Sequence, residues 1–400
     1  MKLKPKKDLI KEALTKQIAG IIPSREALQK VLESGKKLTI YWGIDPTAPD
    51  IHLGHSTNLF VLRRFQRLGH KIIGLVGDYT ARIGDPSGRT TIRIPLTRLQ
   101  IAKNLKNYKS QILKILDPKK TIFKFNSEWW EKMKASDLLM LDSLVTHQQI
   151  IERDMFQKRI ADKNPISEME IQYPLLQGYD SVALKTDVEV GGTDQFFNML
   201  MGRQFSKTLL RKEKFVITTP LLENPKTGKK LMSKSEGNYI SMNNDPNKMY
   251  GKVMALADDV IIVCFKFCTD LEEDSVRRTE LRLKSGENPR NLKSELAYEI
   301  VKIYHGEKKA KEAEREFNQV FQKHELPKKI PEVILKAGEY NIVDLLTATG
   351  MAPSKSEARR LVIGKAVRAG GKLIDDFKDT IKVSPGLVVQ VGKRHFKKIK

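Results

Sequence analysis

Cysteine is nearly missing from this chain: two in 400 residues, Cys264 and Cys268, both in the stretch VCFKFC. Their spacing of four suits one face of a helix, and no second ligand pair lies nearby in sequence. That argues against a zinc site and for buried thiols in a reducing cytoplasm. Long apolar runs are missing too. None approaches the roughly 20 residues a membrane helix needs. The basic N-terminus, MKLKPKKDLIKEALTKQ, is followed by neither an apolar stretch nor a small-residue cleavage site, so it reads as a first helix rather than a signal peptide. Internal repeats and low-complexity tracts are absent as well. Acidic residues are in deficit: 48 Asp and Glu stand against 72 Lys and Arg, a net charge of +24. Such a surface attracts nucleic acid or anionic membrane. A hydrophobic content of 40% with 30% charged residues describes a soluble globular protein. A chain of 45.6 kDa is long enough for two or three domains.

The first half alternates short apolar runs with helical patterns. KLTIYWGI reads as a buried strand, after which Asp50 offers an N-cap. Leu59, Leu62, Phe65 and Leu68 fall on one face of a helix through STNLFVLRRFQRLGH, and KIIGLV follows as a second strand. This strand–helix–strand unit requires parallel strands. DVEV and KFVIT are later strand candidates, also separated by a helical stretch. The expectation is an α/β, doubly wound parallel sheet over residues 1–245, with ligands at the C-terminal strand ends. The loops GIDPTAPD, GDYTARIGDPSGR and GGTDQ sit at such ends. Residues from about 120 to 165 read as a mainly helical insertion, and those over 246–325 as all helical. LPKKIPEV places a linker over 326–341, and 342–400 mixes a basic helix with Val- and Ile-rich strands.

Two stretches carry candidate chemistry. DPTAPDIHLGH ends on His52 and His55, three residues apart. A zinc-protease helix needs two histidines four apart with a glutamate between them, and HLGH has neither. A helix start favours an anion, and two imidazoles there can donate to phosphate oxygens. Gly54 removes a side chain where a bulky ligand could approach. On these residues alone, a phosphate grip and a satisfied structural pair both stand open. The second stretch, KKLMSKSEGN at 229–238, is a cationic, donor-rich loop. By itself it would be a solvated turn.

Together, a histidine pair after the first strand and an MSKS loop after the last resemble the phosphate grip of class I aminoacyl-tRNA synthetases. YWGIDPTAPDIHLGH, IGDPSGR, YPLLQGYD and GGTDQFFN narrow the resemblance to the bacterial tyrosyl-tRNA synthetases. It extends through NPRNLKSELAYEIVKIYHGE. In the tail, SKSEARRLVIGKAVRAGG is similar to the S-four type of RNA-binding module. The resemblance implies a Rossmann-like catalytic domain whose helical insertion forms a dimer interface, then an all-helical anticodon-side domain and a small α+β RNA-binding domain. It implies tyrosine–tRNA ligase activity, with L-tyrosine, ATP accompanied by Mg²⁺, and tRNA(Tyr) as partners. It further implies a cytoplasmic homodimer with no membrane association and no structural metal.

By motif position, the resemblance puts Tyr41 and Asp180 at the substrate phenol and Asp85, Tyr173 and Gln177 at its ammonium. His52 and His55 would contact the ATP phosphates, with Gly54 beneath the adenine and Gly192 and Asp194 at the ribose. Gly43, Asp45, Met232, Ser233 and Ser235 complete the ATP site, and Lys234 would meet the departing pyrophosphate. The chemistry of the residues agrees. A buried phenol needs a donor and an acceptor, which a tyrosine and a carboxylate supply. One departure stands out: the family's loop usually begins with lysine, as in KMSKS, and Leu231 occupies that place, with Lys230 just before it as a possible substitute. In the tail, Lys355, Arg359 and Arg360 share a short helix with the apolar Ala358, Leu361 and Val362, and would touch tRNA backbone. A tryptophanyl-tRNA synthetase and a noncatalytic RNA-binding protein built on a synthetase scaffold are the alternatives. Tyr41, Gln177 and the tail favour tyrosine, and His52, His55 and Lys234 favour retained catalysis.

Overall fold

The computed structural model describes residues 5–87, 95–232, 239–322, 330–392 and 395–400. The chain divides into two compact units, the first running to Ala310 and the second from Lys311 to Lys400.

The first unit is built on a six-stranded sheet. Its strands are β1 (Gly20–Ile22), β2 (Thr39–Ile44), β3 (Lys71–Val76), β4 (Thr121–Phe125), β5 (Val188–Gly192) and β6 (Phe215–Thr219). Their spatial order is β1-β6-β5-β2-β3-β4. All neighbours are parallel except β1, which runs antiparallel to β6. The four expected strands are present, and the doubly wound arrangement with them. Every residue of β5 is buried, and β3 is buried after its first lysine, as befits central parallel strands covered on both faces.

Two strands escaped the sequence pattern. TIFKF falls inside the range read as a helical insertion, yet it pairs along its length with β3 as an edge strand. Its side chains are only partly covered, so it lacks the continuous apolar signal of β3. β1 has three residues, too few to show any period. Helices follow β4, at Ser127–Trp130, Ala135–Asp142, His147–Ile151 and Asp154–Ala161, and lead into the long helix Glu168–Leu184. Trp130, Leu141, Ile150, Phe156, Ile171 and Phe205 pack there as one apolar cluster.

The helix Ser56–Arg67 is buried nearly all round rather than on one face: Ser56, Asn58, Phe60 and Val61 are covered along with Leu59, Leu62 and Phe65. The sheet lies on one side, and the helices Lys6–Thr15 and Ile261–Cys268 pack against it as well. Arg64 fastens this sandwich. Its guanidinium donates to Lys16 O at 2.9 Å, Gln17 Oε1 at 2.7 Å and Asp270 Oδ1 at 2.9 Å. The helical region from residue 246 to Ala310 therefore belongs to the same unit as the sheet. Cys264 and Cys268 are buried free thiols within it.

The second unit is α+β. A five-stranded sheet runs in the order β10 (Lys372–Ile374), β9 (Val367–Ala369), β12 (Val388–Val391), β13 (His395–Ile399), β7 (Glu332–Val333). β8 (Gly338–Asn341) pairs with β11 (Thr380–Val383). The helices Ile342–Ala348 and Lys355–Ile363 lay Leu345, Leu346, Ala358 and Val362 on the core. The expected linker over 326–341 needs correction. β7 and β8 both lie inside it, and Val333 and Leu335 pack on the core, so residues 332–341 are structure rather than spacer. The proline and lysine content of LPKKIPEV masked β7, and both strands are too short for a period-2 pattern. Among the described residues, no helix is long and apolar enough to cross a membrane.

Candidate active site

β2 is bonded to β3 on one side and β5 on the other, so the chain's crossovers diverge at that seam and leave a crevice at the strand ends. A cavity of about 370 Å³ occupies it. Tyr41, Gly43 and Asp45 reach it from β2 and the loop beyond, Asp85 from the loop after β3, and Gly192 and Asp194 from the end of β5. His52, Gly54, His55 and Met232 close the other side. Tyr173, Gln177 and Asp180 come from Glu168–Leu184, where spacings of four and three put them on one helix face. Thirteen residues singled out from sequence thus line one space. Ser233, Lys234 and Ser235 lie outside the described residues.

The histidine turn differs from expectation at its start. Asp50 is not the helix cap. Its carboxylate accepts from Asn243 Nδ2 at 3.1 Å, and the helix begins later, through the 3₁₀ turn Leu53–His55. That turn is held by the strand-like segment after the MSKS loop. Leu53 N donates to Ile240 O at 3.0 Å and Met242 N to Ile51 O at 2.9 Å, and His52 bridges Ser241. The two imidazole rings stand 4.0 Å apart between centroids. A Cβ on Gly54 would lie 3.0 Å from the His52 ring, so any other residue there would make that imidazole give way, while Met232 Cβ, 3.6 Å off, would stay in ordinary contact.

Asp180 is 3% exposed and heavily solvated by protein. Trp129 Nε1 and Trp130 Nε1 donate to its Oδ1 at 2.8 and 2.9 Å, and Asn126 Nδ2 donates to Oδ2 at 3.3 Å. Burial raises its pKa from 3.8 to about 8, against the pull of those three donors. Tyr41, 1% exposed, shares a 2.8 Å hydrogen bond with Ser181 Oγ, and burial lifts its pKa well above the usual phenol value.

The other pocket groups form a ring. Tyr173 OH donates to Asp45 Oδ2 at 3.0 Å and Thr80 Oγ1 to Asp45 Oδ1 at 2.7 Å. Gln195 Nε2 donates to Asp85 Oδ2 at 2.7 Å. Asn198 Nδ2 reaches Gln177 Oε1 at 3.0 Å, and Gln177 Nε2 donates to Glu189 Oε1 at 3.2 Å. Lys230 lines the cavity and pairs with Asp194 at 3.3 Å, whereas Leu231 turns its backbone N–H to Leu222 O. Sequence reasoning passed over Asn126, Trp129, Trp130, Ser181 and Glu189. One signal for the first three was on view, since a buried carboxylate demands donors and NSEWW supplies them.

In the second unit, Lys355, Arg359 and Arg360 sit on one short helix. Lys355 is 68% exposed and pairs with Asp344, while Arg360 is 75% exposed and pairs with Glu357. The Arg359 guanidinium lies over the Phe377 ring. Pairs this exposed are weak and leave the charges available.

Residues 33–322 match the family of tRNA synthetases class I (W and Y), and residues 322–397 match the tyrosine–tRNA ligase SYY-like C-terminal domain. The tyrosine–tRNA ligase of Thermotoga maritima is 45% identical over 387 residues, covering 96% of each chain, and that of Shewanella oneidensis 45% over 380 residues, covering 95% of each. Solved structures share the fold. A C-terminally truncated mitochondrial tyrosyl-tRNA synthetase of Aspergillus nidulans aligns with a TM-score of 0.63 at 24% identity, over 79% of this chain and 99% of its own. The tyrosyl-tRNA synthetase of Archaeoglobus fulgidus, complexed with L-tyrosine, aligns with a TM-score of 0.61 at 23% identity, over 78% and 100%. The chain belongs to the class I tRNA synthetases, and within them to the tyrosine–tRNA ligase family.

The raised pKa of Asp180 makes stability depend on pH. Between about 3.8 and 8 the folded protein keeps a proton that the unfolded chain has released. Its contribution is therefore full below that window, is lost as pH rises through it, and is level above. Asp180→Asn removes the titration and can still accept from both tryptophans. Urea unfolding at pH 5, 7 and 9 should show the variant gaining on the native chain from 5 to 7 and again to 9; a pH-independent gap would refute the raised pKa.

Proposed function

We propose that this chain joins L-tyrosine to tRNA(Tyr) in two steps within the cavity at the β2–β5 seam. The observation that carries the reading is the convergence of a donor–acceptor floor, an ammonium-sized cluster of acceptors and a histidine turn in one space of about 370 Å³. Tyr41 and Asp180 face the phenol. Asp85, Tyr173 and Gln177 take the ammonium. The tyrosine carboxylate attacks the α-phosphorus of ATP, the bond to pyrophosphate breaks, and tyrosyl-adenylate forms. A hydroxyl of the terminal adenosine of tRNA then attacks the carbonyl carbon and AMP leaves. The carboxylate is already a nucleophile, so the first step needs no general base. The chain's work is to position the reactants and to stabilise charge on the transferred phosphoryl group.

His52 and His55 contact the phosphates, Gly54 makes room for the adenine, and Gly192 and Asp194 take the ribose. Gly43, Asp45, Met232, Ser233 and Ser235 border the nucleotide, and Lys234 meets the pyrophosphate. Lys230, already against Asp194, stands in for the loop lysine that Leu231 displaces. The pocket carboxylates are each engaged by protein donors: Asp45 by Tyr173 and Thr80, Asp85 by Gln195, and Asp194 by Lys230. This donor set does not make a cage for Mg²⁺, which would be held chiefly by ATP's own phosphate oxygens, where it neutralises their charge.

Lys355, Arg359 and Arg360 contact tRNA backbone, and the helices after residue 246 form the anticodon side. Leu139 and Met140, each 67% exposed on Ala135–Asp142, form an apolar face that a second copy covers in a homodimer. Two buried free thiols suit a cytoplasmic setting.

Three experiments test this reading. Lys234→Ala should slow adenylate formation at least a hundredfold while moving tyrosine affinity little, because its interaction is strongest in the transition state. Pre-steady-state formation and tyrosine titration measured separately decide it, and an unchanged formation rate removes Lys234 from the mechanism. Ending the chain after Gln322 should keep tyrosine-dependent pyrophosphate exchange, weaken tRNA binding and flatten its salt dependence. Equal affinity and slope in the two proteins would exclude the residues after Gln322 from RNA binding. Sedimentation should find a dimer at micromolar concentration and a monomer after Leu139→Lys with Met140→Lys; a native monomer would defeat the dimer proposal.

A further inference from the structure

Beneath Tyr41 lies a buried cation that the two-step reaction does not use. Lys214 precedes β6, and its side chain has no solvent exposure. Its ammonium donates to Ser181 Oγ and to Glu189 Oε2. Glu189, on β5, accepts Gln177 Nε2 on its other oxygen at 3.2 Å. The space is shaped for this group. A Cβ on Gly202 would come within 2.6 Å of Lys214 Nζ and 2.5 Å of Ser181 Oγ, so any larger residue there would expel the ammonium. A buried ion pair is a poor source of stability, because an apolar replacement of similar volume often does as well. Its chemistry lies elsewhere.

We propose that Lys214 is a positioning residue that sets the direction of the hydrogen-bond chain through Ser181 to Tyr41, so that the Tyr41 hydroxyl presents its proton to the pocket. Ser181 owns one proton and two acceptor lobes. The ammonium takes one lobe and draws electron density from the oxygen, which makes Ser181 a better donor and a poorer acceptor for a second proton. Its own proton can go to Tyr41 Oη at 2.8 Å or to Glu189 Oε2 at 3.3 Å. The Glu189 oxygen is already neutralised by Lys214, so the nearer phenol receives the proton. Tyr41 then accepts from below and donates above. Asp180 has donors from Trp129, Trp130 and Asn126 and, ionised above its raised pKa of about 8, where the comparison below is run, offers its remaining lobe as acceptor. The floor thus presents one donor and one acceptor, the pair a phenol needs. With Lys214 gone and Glu189 left charged, Ser181 turns its proton to the carboxylate and accepts from Tyr41. The floor then offers two acceptors, and the substrate hydroxyl can satisfy only one.

The inference rests on the reading of Tyr41 and Asp180 as the phenol site, and the test separates the two. Full-length variants are compared in pyrophosphate exchange with L-tyrosine and with L-phenylalanine, and the ratio of kcat/KM values is the readout. Lys214→Met and Glu189→Gln each break the same ion pair. Lys214→Met should lower the tyrosine/phenylalanine ratio on the order of tenfold, the size of one misdirected buried hydrogen bond, with phenylalanine little affected. Glu189→Gln keeps the cation on Ser181 and should hold the ratio within about twofold. A merely structural pair predicts equal harm to both substrates in both variants, and an unchanged ratio in Lys214→Met, or equal falls in the two, overturns the proposal. If Lys214→Met fails to fold, Gly202→Ala pushes the ammonium off Ser181 with Glu189 still charged, and its ratio must fall in the same way; an unchanged ratio there overturns the proposal. Tyr41→Phe is the control. Should it leave the ratio intact, the phenol reading itself is wrong; should it lower the ratio while Lys214→Met does not, only the present inference fails.

Discussion

The seam between β2 and its two neighbours is the constraint from which the rest follows. A parallel strand leaves the sheet at its C-terminal end and must return by a crossover. Because β2 is bonded to β3 on one side and β5 on the other, its crossover and that of β5 part company at this point. A gap opens over the strand ends, with backbone and loop residues at its rim and the helix Glu168–Leu184 as one wall. The described residues with a proposed chemical role in activation reach that gap from β2, from the loops and turn that follow β2, β3 and β5, from that helix or from the segment leading into the MSKS loop. The charged and polar groups found there are costly to bury. They are tolerated because they satisfy one another: Asp45 with Tyr173 and Thr80, Asp85 with Gln195, Glu189 with Lys214.

What could be read from sequence tracks how each element is buried. β2 and β3 were legible because central parallel strands are covered on both faces and read as unbroken apolar runs. β4 was not, since an edge strand half open to solvent alternates weakly, and TIFKF adjoins a helical stretch that draws the eye. β7 and β8 are two and four residues long, below the length at which a period can be counted, and β7 also follows a proline. The Asp50 cap failed for a tertiary reason: Asn243, almost two hundred positions away, takes the carboxylate, and a 3₁₀ turn opens the helix instead.

The candidate site shows the same division. Motif position brought thirteen residues to one cavity, because each motif sits at a strand end or on one helix face and local pattern is enough to place it. The groups that prepare those residues were invisible. Trp129 and Trp130 come from the insertion, Ser181 follows Asp180 by a single step, and Lys214 precedes the last strand of the sheet. NSEWW advertises donors, but no local pattern says which carboxylate they meet, and nothing around Ser181 or Lys214 points to a buried phenol. Only the packing of distant segments does.

Trp130 belongs to two structures at once. Its ring lies in the apolar cluster of the insertion with Leu141, Ile150 and Phe156, while its indole N–H holds the carboxylate of Asp180. Order in the insertion and occupancy of the pocket are therefore coupled quantities: a ligand that engages Asp180 protects the insertion from local opening, and loosening the insertion lowers affinity by the same free energy. On the proposed reading of Asp180 as the phenol site, amino-acid selectivity would be exposed to change at positions that never approach the amino acid, and the hydrogen-exchange rates of the insertion's amides would carry a record of what the pocket contains.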